Sequence, residues 1–169
     1  MKIGLISDTH SYLDPKVFDY FQQVDEIWHA GDIGTLALLE QLEAFKPTVA
    51  VFGNIDGHEV REATPEDQIF VREGVKVLMT HIAAKPPRYN PRVQKLIQAH
   101  QPNLLICGHS HILKVQPDPA NNLLFMNPGA AGIHGFHQVK TLLRFDLVSG
   151  KPKNLEVVEL GKRGAIGQH

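Results

Sequence analysis

The sequence predicts an α/β fold in a single domain over residues 1–169. Up to Gly57, short apolar runs alternate with polar turns and helical patterns, which is the rhythm of βαβ units. Beyond Gly57, short apolar runs separated by Pro, Asn and Gly turns indicate a half that is mostly β. No repeat, low-complexity tract or linker divides the chain, so we expect one domain whose last residues, 161–169, form a flexible tail.

The first half is predicted to contain three strands and two helices. Asp14 can cap the first helix, with Pro15 at its first helical position. Thr35 can cap the second helix, whose leucines recur at helical spacing until Pro47 ends it. The strands are expected at residues 2–7, 26–29 and 48–52.

The second half is predicted to contain one helix, at residues 92–100, and seven short strands. Glu73-Gly74 suits a hairpin turn between the first two of these strands. The proline-rich loop 83–91 presents Arg88 and Tyr89, which are candidates to contact a ligand. The strands are expected at residues 68–72, 75–79, 104–107, 112–115, 123–126, 141–147 and 155–160.

Composition excludes several classes of protein. The formal net charge is -1, so no overall basic field attracts nucleic acid or an acidic membrane, although a local site can still be positive. The single cysteine, Cys107, rules out an intrachain disulfide and is interpreted as a buried core thiol. The chain shows no signal peptide and no apolar run near the roughly 20 residues of a membrane span, so we expect a cytoplasmic protein without a membrane partner.

Side chains that can bind metal follow five of the predicted strands. Asp8 and His10 end the first strand, and because residues i and i+2 of an extended chain point to the same side, they can reach one ion. The carboxyl ends of the strands in an α/β sheet converge on one edge, where sites are built. The other candidates are Asp32, Asn54, His81, His109 and His111.

Each of these residues has a simpler explanation when it is taken alone. His109 could be a hydrogen-bonded core histidine, Asp32 could cap the helix at 35–45, and Asn54 could be an ordinary turn residue. Seven potential ligands at five strand ends are hard to attribute to chance, so the set as a whole favours a metal site.

These residues fall in five short motifs: Asp8-x-His10, Gly31-Asp32, Gly53-Asn54-x-Asp56, His81 and Gly108-His109-x-His111. In order and spacing the motifs resemble those of the calcineurin-like metallophosphoesterases. The short chain, its Gly-Asn-x-Asp motif and the segment Asn127-Pro128-Gly129 resemble the small prokaryotic phosphodiesterase (YfcE-like) branch, over residues 1 to about 147. The resemblance implies a four-layer α/β/β/α sandwich with two mixed β-sheets and a dinuclear metal site at one edge.

The resemblance also implies a division of ligands between two divalent ions. The sets are Asp8, His10 and His111 for one ion, Asn54, His81 and His109 for the second, and Asp32 as the bridge. Carboxylate, imidazole and amide donors suit Mn²⁺, Fe, Zn²⁺, Co²⁺ or Ni²⁺, with Mn²⁺ favoured, and the lack of a thiolate argues against a soft metal. The implied activity is hydrolysis of a small phosphodiester by a metal-bound hydroxide, without a covalent enzyme intermediate.

Two residues of the third motif are predicted to act in catalysis. Asn54 supplies an oxygen ligand without adding negative charge. Asp56 either orients Asn54 or the water network, or is a turn aspartate that bonds its own backbone. Ile55 stands where many relatives carry a histidine that protonates the leaving oxygen, which favours good leaving groups and diesters over monoesters. His29 either supports the site or packs beside Trp28.

Two other functions fit the same residues. A phosphomonoesterase would use the same site, and a non-catalytic scaffold, such as the retromer subunit that shares this fold, would keep the fold without turnover. A nuclease acting on long DNA or RNA is disfavoured, because the chain has no basic excess and no basic stretch interleaved with aromatic residues. The sequence does not specify the substrate, the native metals or whether the chain forms an oligomer. His58, His134 and His137 are candidates to line the mouth of the site, but a surface position is the favoured interpretation of each.

Overall fold

The structure is a computed structural model that describes residues 1–164. Within that range the helices are α1 (Lys16–Tyr20), α2 (Leu36–Phe45), α3 (His58–Ala63) and α4 (Pro91–His100). The strands are β1 (Lys2–Ile6), β2 (Glu26–His29), β3 (Thr48–Ala50), β4 (Asp67–Arg72), β5 (Val75–Thr80), β6 (Ala84–Lys85), β7 (Arg88–Tyr89), β8 (Leu104–Ile106), β9 (Leu113–Asp118), β10 (Leu123–Pro128), β11 (Val139–Val148) and β12 (Lys151–Lys162). None of the helices in this range is long and apolar enough to cross a membrane.

Ten of these strands form two five-stranded mixed sheets. The first sheet has the order β12-β11-β1-β2-β3, and β1, β2 and β3 run parallel to one another. The second sheet has the order β4-β5-β8-β10-β9, and β5, β8 and β10 run parallel. In both sheets the remaining strands pair antiparallel with their neighbours. In each sheet, three parallel strands therefore end at the same edge. The turns that follow these strands lie close together in space.

Three apolar cores separate four layers, which confirms the predicted α/β/β/α sandwich. The first core joins α1, α2 and α3 to the first sheet, the second lies between the sheets, and the third joins the second sheet to α4. Because β1 is covered on both faces, its sequence is a continuous apolar run rather than an alternating one. Representative core residues are Ile6 and Leu39 in the first core, Trp28 and Met79 in the second, and Ile97 and Phe125 in the third.

The starts of three helices follow the chemistry of the residues before them. Thr35 caps α2 as predicted, because its hydroxyl oxygen accepts a hydrogen bond from the Leu38 N–H at 3.3 Å. Asn90 does the same for α4, where Oδ1 accepts from the Val93 N–H at 2.9 Å. At α1 the Asp14 carboxylate accepts from the Lys16 N–H at 3.0 Å, although Pro15 rather than Asp14 directly precedes the helix.

Three parts of the chain differ from the sequence prediction. Helix α3 was not expected, because Val60 is its one buried residue and a single apolar position gives no periodic pattern. The loop 83–91 contains a small hairpin, formed by β6 and β7. The predicted start of the tail, residue 161, is too early, because β12 continues to Lys162 through pairing with β11. Residues 165–169 lie outside the described residues.

Candidate metal centre

All seven predicted ligands lie in turns that follow parallel strands of the two sheets. The turns after β1, β2 and β3 come from the first sheet, and those after β5 and β8 come from the second. Six of the residues form two groups whose donor atoms lie within 4.8 Å of one another. The groups are Asp8, His10 and His111, and Asp32, His81 and His109.

Asp32 lies where the two groups meet. Its Oδ2 atom is 3.3 Å from Nε2 of His10 and 3.2 Å from Nε2 of His81. Its Oδ1 atom accepts a hydrogen bond from the Ile55 N–H at 3.0 Å, which fixes the carboxylate to the turn after β3. Burial alone would raise the pKa of Asp32, but the adjacent rings of His10 and His81 outweigh burial and hold that pKa well below its usual range. The side chain is therefore an anion with one oxygen directed at both groups.

Asp8 and its histidine neighbours leave buried donor atoms unpaired. Oδ2 of Asp8 accepts from the Ser7 hydroxyl at 2.7 Å and from the His109 N–H at 3.1 Å. Oδ1 of Asp8 and Nε2 of both His10 and His81 are buried without a hydrogen-bond partner. A buried polar atom left unsatisfied costs about 1–3 kcal/mol, so three at one place need an explanation.

A divalent cation explains these atoms. Oδ1 of Asp8 lies 3.2 Å from Nε2 of His111, a separation similar to those around Asp32. Ligands held at about 2.1 Å from a common ion are separated by roughly 3.0–3.4 Å, depending on the coordination geometry. The donor types, their spacing and the unpaired atoms therefore all fit a metal. Each of the two groups could hold one ion.

The turn after β2, in the first sheet, fixes the orientation of His81. Its Nδ1–H donates to the carbonyl oxygen of Ala30 at 2.7 Å, and because that carbonyl can only accept, Nε2 is left as the unprotonated atom facing Asp32. Burial lowers the pKa of His81, but the adjacent carboxylates of Asp32 and Asp8 favour the protonated ring and raise that pKa overall. The imidazole is thus oriented as a metal ligand by a contact between the two sheets.

Asn54 joins the second group at the mouth of the site. Its Oδ1 atom lies 3.0 Å from Nδ1 of His109, and both side chains are exposed. Burial and the neighbouring charge of His81 lower the pKa of His109. Because an amide oxygen can only accept, Nδ1 of His109 donates to Asn54, and this bond holds the amide oxygen beside the second group.

The backbone of the ligand turns is held in the left-handed region. Side chains in this conformation each cost roughly 1 kcal/mol or more, and five candidate ligands adopt it. Their φ angles are +54° for Asp8, +45° for His10, +54° for Asp32, +72° for His109 and +60° for His111. Gly53 shows how close the turns approach, because a Cβ atom there would collide with the Asp32 carboxylate.

Asp56 ties two of these turns together. Its carboxylate accepts from the N–H of Gly53 at 2.8 Å, within its own turn. It also accepts from the N–H groups of Ile33 at 3.1 Å and Gly34 at 2.7 Å, in the turn that carries Asp32. Asp56 is buried, and both oxygens are occupied by these bonds. Asp56 therefore positions the turns that carry Asn54 and Asp32. It bonds the backbone of its own turn and also orients its neighbours, which are the two interpretations that the sequence left open.

His29 forms a second link between ligand turns. Its Nδ1 accepts from the Gly31 N–H at 3.1 Å, so Nε2 carries the proton and donates to the Thr9 hydroxyl at 2.9 Å. The Thr9 hydroxyl in turn donates to the Ile33 carbonyl oxygen at 2.9 Å. Burial lowers the pKa of His29 to about 4, so the ring is neutral. His29 therefore supports the site through hydrogen bonds and does not merely pack beside Trp28.

The loop after β10, residues 129–138, contributes histidines for which the sequence favoured a surface position over a position at the mouth of the site. The ring of His134 lies 5.0 Å from that of His10, and the ring of His137 lies 5.2 Å from that of His111. Just before this loop, at the end of β10, Asn127 Nδ2 donates to the carbonyl oxygen of Gly108 at 2.9 Å. The Asn-Pro-Gly segment was the available signal that this loop belongs to the site.

Arg61 of α3 was not identified from the sequence. Its Nε–H donates to the carbonyl oxygen of Asp56 at 2.6 Å, and Nη2 donates to those of Gly53 and Asn54, each at 3.4 Å. The guanidinium also lies 4.6 Å from the centre of the Phe52 ring. Because α3 was not predicted, Arg61 was expected to be an ordinary exposed charge. The sequence therefore offered no signal for its hydrogen bonds to the turn that carries Asn54.

Three residues outside the site were also assigned a position from the sequence. Tyr89 was a candidate to contact a ligand, and this was wrong, because its buried hydroxyl donates to Asp118 Oδ2 at 2.8 Å. Arg88, beside it, is exposed on the hairpin. Cys107 is 1% exposed and burial raises the pKa of its thiol, which confirms a core cysteine.

The fold and site together define an α/β/β/α protein with two candidate metal-binding groups at the strand ends. Residues 1–150 match the family described as the calcineurin-like phosphoesterase superfamily domain, and the chain belongs to that superfamily. A probable metallophosphoesterase of Methanothermobacter thermautotrophicus is 30% identical over 167 residues, which cover 95% of this chain and 94% of the relative.

Solved structures show the same fold. An archaeal phosphodiesterase has a TM-score of 0.76 at 22% identity and covers 95% of this chain and 100% of its own. Vps29 of Entamoeba histolytica, complexed with Zn²⁺, has a TM-score of 0.69 at 20% identity and covers 94% of this chain and 99% of its own. At these identities the likeness establishes the architecture and not the activity.

Proposed function

We propose that this phosphoesterase is a dinuclear metal-dependent hydrolase of small phosphodiesters. The observation that carries the proposal is the position of Asp32 Oδ2, 3.3 Å from His10 Nε2 and 3.2 Å from His81 Nε2. One oxygen shared between two histidine nitrogens suits a carboxylate that bridges two ions. The phosphodiesterase among its structural relatives supports the choice of substrate class.

Ligand charge supports a monoanionic substrate. Two divalent ions bring about four positive charges, which Asp8 and Asp32 reduce to about two. The other ligands are imidazoles and the amide of Asn54, which cancel none of the remainder. When bound, such a pair of ions activates a water molecule and neutralises charge on the phosphoryl oxygens. Mn²⁺ is the favoured ion, with Ni²⁺, Zn²⁺, Fe and Co²⁺ as the alternatives that these donors accept.

The chain's own residues determine how that centre is presented. His81 and Asp32 are held by contacts that cross between strands, and Asn54 is held at the mouth by the Arg61 clamp on its carbonyl oxygen. Ile55, which is 46% exposed beside Asn54, cannot donate a proton to a leaving oxygen. We therefore expect the fastest turnover for diesters whose leaving alcohol is acidic.

Removal and restoration of metal tests this proposal. After chelation and dialysis, hydrolysis of bis-p-nitrophenyl phosphate should disappear, and Mn²⁺ or Ni²⁺ should restore it with about two ions bound per chain. The absence of hydrolysis with every divalent metal would contradict an enzyme and would favour an interaction module that binds metal without turnover. The monoester p-nitrophenyl phosphate serves as the comparison, and a faster rate on it would make the protein a phosphomonoesterase.

A further inference from the structure

A cavity of about 510 Å³ opens directly over the candidate metal centre. Its floor contains the ligands His10, Asp32, Asn54, His109 and His111. Its walls carry three apolar side chains that are unusually exposed, and these are Phe136 at 103%, Ile112 at 65% and Ile55 at 46%. A polar floor beneath apolar walls is typical of a small-molecule site in which few polar groups fix one end of the ligand.

The loop that carries Phe136 is fixed against the ligands. The N–H of Ala131 donates to the Ser7 carbonyl at 2.9 Å, and that of Gly132 donates to the Asp8 carbonyl at 3.1 Å. Gly135 has a φ of +126°, and any Cβ atom there would collide with the His111 ring. The residue after Gly135 is therefore placed at the rim of the metal centre by backbone contacts.

A second cavity of about 470 Å³ meets the metal centre at Asn54 and His81 and has a different character. Its lining includes the guanidinium groups of Arg61 and Arg92. Arg92 is paired with Asp67 at 2.6 Å, whereas the hydrogen bonds of Arg61 in the described chain go to backbone carbonyls. The aromatic ring of this second cavity, Phe52, is already covered by the Arg61 guanidinium, whereas the ring of Phe136 is uncovered, so a flat apolar part of a substrate belongs in the cavity bounded by Phe136.

We propose that the substrate is a phosphodiester in which the ester group that stays on the phosphate carries a flat aromatic ring, either an aryl group or a nucleobase, that stacks on Phe136. This inference rests on the proposed function, because it places the phosphate at the metal centre. When a phenyl ring is fully exposed to water, a flat partner that covers its face removes the largest apolar area from water. Ile112 and Ile55 then cover the edges of the bound ring, while the phosphate remains over Asn54 and the histidines.

A substrate series with a constant leaving group tests the inference. Phenyl p-nitrophenyl phosphate and methyl p-nitrophenyl phosphate both release p-nitrophenol and differ only in the second ester group. Replacement of the stacking ring in Phe136→Ala should lower the ratio of the two kcat/KM values by about fivefold to tenfold, chiefly through KM for the phenyl ester. Intrinsic reactivity differences between the esters cancel when the ratio is compared between the two proteins.

The matched control is Val157→Ala, which removes an apolar side chain that is 49% exposed on β12 and lines neither cavity. It should leave the ratio unchanged. An unchanged ratio in Phe136→Ala would overturn the inference while leaving phosphodiester hydrolysis intact. A change in oligomeric state in Phe136→Ala without a change in the ratio would also overturn it, and would assign the ring to a contact between copies.

Binding separates this inference from the proposed function. Calorimetry with the Mn²⁺-loaded protein should give phenylphosphonate about fivefold to tenfold tighter binding than methylphosphonate, and Phe136→Ala should remove the difference. If no ester is hydrolysed but this preference is seen, the catalytic proposal fails and the aromatic subsite stands. Equal binding of both phosphonates would overturn the subsite whatever the rates are.

Discussion

The metal centre and the ion pair between Asp14 and Lys140 are both buried clusters of charged side chains. Asp14 and Lys140 are each 1% exposed, and Nζ donates to Oδ2 at 2.7 Å. The other oxygen of Asp14 accepts from the Lys16 N–H at 3.0 Å. At the metal centre, by contrast, Asp8 Oδ1 is as deeply buried but has no hydrogen-bond partner.

The contrast separates a structural cluster from a binding site. Asp14 meets a cation of the chain itself, so its charge is balanced as soon as the chain folds. Asp8 and Asp32 make ion pairs only with histidines among residues 1–164, and no Lys or Arg in that range pairs with either. Two carboxylates that are not paired with a Lys or Arg side chain are suited to bind metal cations from solution. Four predictions test this distinction, and they run from the largest expected effect to the smallest.

The largest effect is expected for Asp32→Ala, which removes the oxygen between the two groups. Loss of a residue that only orients a ligand costs up to about a hundredfold in affinity or activity, so loss of the bridge should cost more than that. Metal analysis should show that both ions are lost, with kcat/KM on bis-p-nitrophenyl phosphate as the second readout. Asp19→Ala, at an exposed position of α1, is the control. Retention of both metals and full rate in Asp32→Ala would disprove the assembly described above.

Lys140→Met should damage the structural cluster and spare the metal centre. Removing one member of a buried pair leaves the other charge uncompensated and costs roughly 3–5 kcal/mol of unfolding free energy. Urea unfolding measures this loss, and the double variant Asp14→Leu with Lys140→Met should recover a large part of it. The activity per folded molecule should stay near that of the parent. A larger loss of activity than of stability would show that the two clusters are coupled.

His29 should make stability depend on pH in a defined window. Its folded pKa of about 4 lies below the ordinary value of 6.5, so the unfolded state binds more protons between these values. The stabilisation is fully present above pH 6.5 and is lost as pH falls towards 4, with a total of roughly 3 kcal/mol.

Urea unfolding of the metal-free protein as a function of pH checks the sign and the window. In His29→Gln, which keeps a donor and an acceptor but does not titrate, the slope in this range should be smaller by about one proton. Identical slopes in the two proteins would show that His29 is already protonated or accessible in the folded state.

The smallest effect is expected for Asn54→Asp, which adds one negative charge to the centre and keeps an oxygen donor. Metal content should be retained or increased, whereas kcat should fall by about tenfold, because the ions then offer less positive charge to the phosphoryl group. Metal analysis and steady-state rates on the same preparation distinguish the two effects. Full activity in this variant would show that ligand charge does not limit the rate.

The sequence predicted the positions of the candidate ligands better than their contacts. The ends of apolar runs locate the ends of β1, β2, β3, β5 and β8, with glycine following β2, β3 and β8, and the ligand types follow directly from the letters. The role of Asp56 depends on N–H groups at Ile33 and Gly34, and that of His134 on a ring at His10. Such contacts join distant parts of the chain, and no local pattern encodes them.

The left-handed ligand residues have an evolutionary consequence. Glycine adopts a φ near +54° or +72° without the steric penalty of a side chain, so the metal-free chain would gain stability from glycine at Asp32 or His109. Where bound ions bring no benefit to the organism, substitutions that replace these ligands are therefore expected to accumulate. A lineage released from that selection would keep the sandwich and lose the centre first.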